Sequence, residues 1–188
     1  MARRRADRLK PVARGRGYRL CPLRRSDGAR LVAVTQASRS FHRPWVDPPI
    51  SEDAFHVWMG ARDAPSRQRF LLYDREGEIA GYFSLGEITG GALKSAYLGY
   101  WANAVCARRG AMTEGLELVL RYAFRGVGLH RVEANIQPGN AASLALVERC
   151  GFRHEGFSPR YLKVRGRWRD HERWAMTVED WRELQRSR

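Results

Sequence analysis

Nowhere in the 188 residues do apolar side chains run for the ~20 positions a bilayer-crossing helix needs, so no segment is expected to span a membrane. Cysteine is scarce. Cys21, Cys106 and Cys150 are odd in number, far apart and at no metal-ligand spacing, which gives no metal site and fits a reducing, cytoplasmic setting. His42, His56, His130, His154 and His171 also lack metal-ligand spacing, and each reads as structural. The N-terminal Met1-Ala2-Arg3-Arg4-Arg5-Ala6-Asp7 is basic, but no apolar run follows it, which argues against a secretory signal. There is no internal repeat. Acidic residues are in deficit: 20 Asp and Glu stand against 34 Lys and Arg, a formal charge of +14. Lysine too is rare, confined to Lys10, Lys94 and Lys163, so the excess is almost all arginine. Such a charge implies anionic company, nucleic acid, a phosphorylated cofactor or both, while the arginine bias fits a GC-rich genome equally well.

What is present divides into a basic arm and one domain. Residues 1–16 are rich in arginine without periodicity and read as a disordered arm; residues 17–188 form the domain. A strand is expected at Tyr18–Leu23, then a helix capped by Ser26 or Asp27 and running to Ala37. The prolines of residues 41–49 predict a loop, and Ser51 opens a second helix carrying Phe55, Trp58 and Met59. Three strands follow, at 69–74, 79–89 and 94–103, separated by glycine turns. Met112, Leu116, Val119, Leu120 and Ala123 recur at helical spacing, and Gly126 or Gly128 should stop that helix. Arg131–Ile136 alternates cleanly as a strand, Asn140 caps a helix to Arg149, and residues 153–176 read as a strand pair turning at Arg165-Gly166. Thr177-Val178-Glu179-Asp180 resembles a capping box for a last short helix. The order predicts an α+β fold with a mixed, mostly antiparallel sheet flanked by helices.

The stretch Val105-Cys106-Ala107-Arg108-Arg109-Gly110-Ala111 lies between a strand and a helix. The first turn of a helix leaves N–H groups without intrahelical partners, aligned with the positive end of the macrodipole. An anion is held there without any side chain. Arg108 and Arg109 add charge, and Gly110 permits close approach, so a pyrophosphate is a natural guest. The same residues alone are compatible with a plain solvated loop.

Further on, "NIQPGNAASL" at 135–144 and "ERCGF" at 148–152 resemble the second signature half of the GNAT N-acetyltransferases. With "GYWANAV…RRGAMTEGL", "RGRWRDHERWAM" and "RPWV", the chain is similar over residues 17–180 to the ribosomal-protein-alanine N-acetyltransferases within that family. The resemblance implies a GNAT acyltransferase fold whose fourth and fifth strands splay apart to admit acetyl-CoA, with no metal. It places the pyrophosphate on backbone amides of residues 105–111, although Ala107 replaces the usual polar first residue and Met112 stands at the last position of the motif. It assigns Asn140 to the pantetheine arm, a role compatible with a plain N-cap, and Ser143 to protonation of the leaving thiolate. Val147 stands where some relatives carry a tyrosine acid. It brings the loop around Trp45 close to the acceptor. A peptide α-amino group has a pKa of about 7.7–8.0, so a strong base is unnecessary, and a water relayed by Asn135 or Glu133 suffices; Glu133 reads equally as an ion-paired surface residue. Direct displacement is implied, so Cys106 and Cys150 are not nucleophiles.

Three functions compete. One is an acetyl-CoA-dependent N-acetyltransferase for a protein N-terminus, such as a ribosomal protein alanine, working as a monomer or dimer away from membranes. Another acetylates a small-molecule amine, which an acidic acceptor pocket would favour. The third is a ribosome- or RNA-binding assembly factor whose working part is the basic arm; its contacts would be electrostatic and steeply salt-dependent.

Overall fold

The computed structural model describes residues 10–43, 45–60, 66–107 and 109–187. Among these, eight strands form one sheet in the order β1-β2-β3-β4-β5-β6-β8-β7. The strands are β1 (Ala13–Arg14), β2 (Arg19–Pro22), β3 (Gln68–Tyr73), β4 (Ile79–Thr89), β5 (Ser95–Ala102), β6 (Arg131–Ile136), β7 (Arg153–Val164) and β8 (Arg167–Thr177). Neighbours pair antiparallel except β5 and β6, which run parallel because a helix crosses over between them. The expected α+β plan, a mixed and mostly antiparallel sheet flanked by helices, is met.

Helices cover both faces. α1 (Gly28–Ala37), the single turn α2 (Arg39–His42) and α3 (Glu52–Gly60) precede β3; α4 (Ala111–Arg121), α5 (Ala141–Arg149) and α6 (Val178–Arg186) follow β5, β6 and β8. α1 and α3 pack through Leu31, Phe55 and Met59 onto Leu71, Tyr73 and Trp101. α4 and α5 pack on the opposite face, where Leu116, Val119, Leu120 and Val147 meet Leu72, Phe83 and Val132. Both helices and sheet thereby bury apolar area worth roughly 25 cal/mol per Å². α4 lies close to the sheet because Gly115 has no side chain; a Cβ there would sit 2.6 Å from Phe83. β3 is buried on both faces, as its run Phe70-Leu71-Leu72-Tyr73 suggests.

Three expectations are corrected. Residues 1–9 of the predicted arm lie outside the described residues, but Ala13 and Arg14 pair with Leu20 and Arg19, so the sheet begins inside the stretch expected to be disordered. Val12 and Ala13 supply the apolar contacts that hold this strand. The predicted loop from residue 41 starts instead with the turn α2, whose buried His42 packs on Trp101. At α1, Asp27 does not cap the helix with its side chain; it ends a 3-10 turn and its Oδ2 accepts from Arg24 N–H at 2.9 Å. The expected stop of α4 is borne out: the helix widens into a π turn over Tyr122–Val127 and Gly128 ends it at φ 77°. Asn140 and Thr177 cap α5 and α6 as their sequences suggest.

Candidate active site

Pairing between β5 and β6 stops at Tyr97 and Glu133, yet β5 continues to Ala102 and β6 to Ile136. The two strands therefore fork. Among the described residues, the edge of β5 that faces β6 has no strand partner beyond Tyr97, and its backbone is free to pair with an extended ligand.

The wide end of the fork leads to the helix start. Asn103 anchors this exit: its Nδ2 donates to Ile79 C=O at 2.8 Å and its Oδ1 accepts from Val105 N–H at 3.1 Å. Ala104 N–H donates to Ser38 Oγ at 3.0 Å. A 3-10 turn over Ala104–Cys106 follows, and Gly110, at φ 77°, is the N-cap of α4. Glycine is required by that left-handed backbone, and it offers no capping side chain. Among the described residues, the first N–H groups of α4 thus have neither intrahelical nor side-chain acceptors, as an anion site demands. The acidic residue of the first turn, Glu114, is turned away: its Oε1 accepts from Gly17 N–H at 2.8 Å and Tyr18 N–H at 3.1 Å. These two charge-assisted bonds pin the β1–β2 turn to α4. Glu114→Ala is expected to cost about 2 kcal/mol of stability and lower the melting temperature by several degrees, measured by calorimetry. Cys106, half-buried beside this turn, has its thiol pushed up by burial and by Asp74, with Arg109 opposing, which favours the thiol over the thiolate.

At the fork itself, Tyr100 of β5 reaches across to α5. Its Oη lies 2.5 Å from Ser143 Oγ and 3.4 Å from Ser143 C=O. Burial holds the Tyr100 phenol far above the usual tyrosine range, with the Ser143 contact opposing, so it remains protonated. The two hydroxyls carry two protons and their contact uses one, leaving the other free. Asn140 Oδ1 accepts from Ser143 N–H at 3.2 Å, which fixes the first turn of α5.

The other face of β6 carries the candidate relay residues. Glu133 is bound by Arg131 (Nε–Oε1 2.9 Å), and Arg131 also grips Glu155, which pushes the Glu155 carboxyl below its ordinary range. Glu133 is thus the ion-paired residue rather than a free base. Asn135, two residues on, has a buried side-chain oxygen with no hydrogen-bond partner among the described residues. Tyr97 Oη meets Tyr161 Oη at 3.4 Å; this bond first, then burial, pushes Tyr97 up to about 12. A bridge closes this side. Gln137 Nε2 donates to Trp45 C=O at 3.1 Å, the Trp45 ring lies against Gly139, and Arg165 at the β7–β8 tip pairs with Asp47 at 3.3 Å. His42 Nε2 donates to Ala102 C=O at 2.7 Å, and burial pushes its imidazole down so that it stays neutral.

The sequence profile of the Acetyltransferase (GNAT) domain matches residues 18–153, and the chain belongs to the GNAT acetyltransferase family. It is 38% identical over 113 residues to the ribosomal protein uS5-alanine N-acetyltransferase of Escherichia coli (strain K12), a match covering 60% of this chain and 58% of that protein, less than two thirds of its length. It is 31% identical over 130 residues to the L-methionine sulfoximine/L-methionine sulfone acetyltransferase of Pseudomonas paraeruginosa, covering 67% and 74%. The structure of Mycobacterium smegmatis RimJ in complex with CoA-disulfide aligns with a TM-score of 0.80 and 30% identity over 90% of this chain and 88% of that one.

The structure brings Cys106, Ala107, Arg109, Gly110 and Ala111 together at one helix start, with Val105 exposed beside them; Arg108 lies outside the described residues. Ser143 and Asn140 sit together at the fork, whereas Asn135 and Glu133 lie on the opposite face of β6. Val147 is fully buried in the core. Tyr100, Asn103 and Gln137 escape sequence reasoning. Tyr100 sits in a strand whose alternation predicts only its face, and its partner is 43 residues away. Asn103, a strand-end asparagine before a turn, carried a local signal. Among the described residues no group of three or more His, Cys, Asp or Glu is placed to hold a metal, and no helix is long and apolar enough to cross a membrane.

Proposed function

We propose that the protein transfers the acetyl group of acetyl-CoA to the free amine of a protein N-terminus, with a ribosomal protein as the leading acceptor, in the cytoplasm. The observation that carries this reading is the β5–β6 fork, which runs from the Tyr100–Ser143 pair to the uncapped start of α4. The donor set suits the ligand: aligned N–H groups and Arg109 for phosphates, a free strand edge for the amide-bearing arm, and a hydroxyl pair for the sulfur. When bound, acetyl-CoA supplies an acetyl thioester activated for attack. The amine nitrogen forms a bond to the carbonyl carbon, the C–S bond breaks, the amine gives up one proton and the thiolate gains one. Ser143 donates the latter, positioned by Tyr100, and Asn140 holds the start of α5 beside the arm. Asn135 orients the water that takes the amine proton. The likeness to a uS5-alanine acetyltransferase supports the acceptor.

The likeness to a methionine sulfoximine acetyltransferase favours a second reading, a small amino acid as acceptor. Purified protein offered acetyl-CoA with alanine-starting ribosomal peptides, amino acids and polyamines separates the two. Thiol release is expected with the peptides and at background with the rest; turnover on amino acids alone would establish the second reading. RNA contact through the basic arm is a further part of the proposal. Deleting residues 2–9 is expected to leave peptide acetylation unchanged and to weaken co-sedimentation with ribosomes, most at low salt.

A further inference from the structure

β7 (Arg153–Val164) and β8 (Arg167–Thr177) form a long hairpin at one end of the sheet. β7 is the outermost strand, so one of its edges is unpaired, and most of its side chains are exposed. Between residues 160 and 169 the hairpin carries Arg160, Lys163, Arg165, Arg167 and Arg169. Arg165 is committed to Asp47; the other four have no carboxylate within ion-pair distance among the described residues. The nearest acid in the chain, Asp170, accepts from the backbone N–H of Arg160 at 2.7 Å. That bond holds Arg160 at φ 49°, in the left-handed region that non-glycine residues seldom adopt, where the ladder bulges between Ser158 and Leu162. The bulge lifts Arg160 out of the ladder. Lys163 and Trp168 are cross-strand partners and share a face, with the Trp168 ring 61% exposed; Leu162 is 42% exposed.

Cations alone would only guard a bare sheet edge against pairing with another chain. An exposed tryptophan does nothing for that purpose and is unfavourable in water. Unneutralised arginines and a lysine flanking an exposed indole match a phosphate backbone with a base to stack. A second copy of this chain fits poorly, since it would set these arginines against their equals. We infer that the β7–β8 hairpin is an RNA-docking surface, binding single-stranded RNA through phosphate contacts from Arg160, Lys163 and Arg167 and base stacking on Trp168. The inference does not depend on which amine is acetylated.

The test uses the full chain and a fluorescein-labelled single-stranded RNA of mixed sequence, with anisotropy read over a salt series. The triple variant Arg160→Glu, Lys163→Glu, Arg167→Glu is expected to bind at least about a hundredfold more weakly. Its slope of log affinity against log salt should fall by about two, at ~0.7 for each phosphate no longer neutralised. Trp168→Ala should weaken binding about tenfold with the slope unchanged, because stacking releases no counterion. CoA affinity and circular dichroism unchanged in both variants confirm that the domain is intact; if the triple variant unfolds, Trp168→Ala and Lys163→Ala carry the same comparison. RNA affinity equal to wild type in these variants overturns the inference. So does a loss of binding to acidic peptides or anionic vesicles without loss of RNA binding, which would assign the hairpin to those partners.

Discussion

Replacing Gly110 by glutamate is expected to abolish CoA binding while leaving the protein folded. A Cβ at this position meets no protein atom within 4 Å, so the side chain is not crowded by its own fold. Two effects remain. At φ 77° any L side chain strains the backbone by about 1–2 kcal/mol. The larger effect is electrostatic. The first N–H groups of α4 carry a partial positive charge of about half an elementary unit, and a carboxylate on the N-cap would sit where a phosphate must. Against a pyrophosphate a few Å away, a single negative charge costs about 3–4 kcal/mol at an effective dielectric near 20, a loss of more than about a hundredfold in affinity. Gly110→Asn separates the two causes, since asparagine tolerates the left-handed region and is neutral; it should keep affinity within about tenfold of wild type. Titration calorimetry with CoA reads both. Wild-type affinity in Gly110→Glu would remove the phosphates from this turn.

Residues 105–111 show what a sequence can and cannot carry. The glycine after two arginines, between a strand and a helix of period 3.6, specified the helix start to within one residue, because backbone geometry and capping are local. The fork was not legible from periodicity. β5 and β6 alternate as any strands do, and nothing in either marks where their pairing ends at Tyr97 and Glu133. It was implied only by resemblance. The Glu133 expectation shows a related limit: alternation placed it correctly with Asn135, but Arg131, two residues earlier on the same face, and Glu155, on another strand, decide its partners. The N-terminal strand was hidden by composition. Ala13-Arg14 looks like part of a polar arm, and Glu114, about a hundred residues away, supplies an acceptor that pins the turn after it. Such long-range polar contacts leave no periodic trace.

Ser143→Ala is expected to slow the chemical step by about a hundredfold, the low end of what one positioned acid contributes, with CoA affinity nearly unchanged. The serine cannot act alone, because an isolated hydroxyl is a poor proton donor to a thiolate. Its Oγ lies 2.5 Å from Tyr100 Oη, so a proton from the tyrosine stabilises the oxygen that is left behind. Tyr100→Phe keeps the ring in the core and removes that hydroxyl alone. It should lower the single-turnover rate by about tenfold without raising KM, because the contact matters after the amine has bound. The double variant should be no slower than Ser143→Ala, since Tyr100 acts through the serine; additive losses would give Tyr100 an independent role. The pH profile adds a check that a packing defect would not mimic. Burial raises the Tyr100 pKa, so its proton is retained as pH rises through the ordinary tyrosine range. The wild-type kcat should therefore climb as the acceptor amine loses its proton and then stay level, with no falling limb from this pair. A single-turnover rate for Ser143→Ala equal to wild type would take the acid role away from this hydroxyl and leave the proton to solvent.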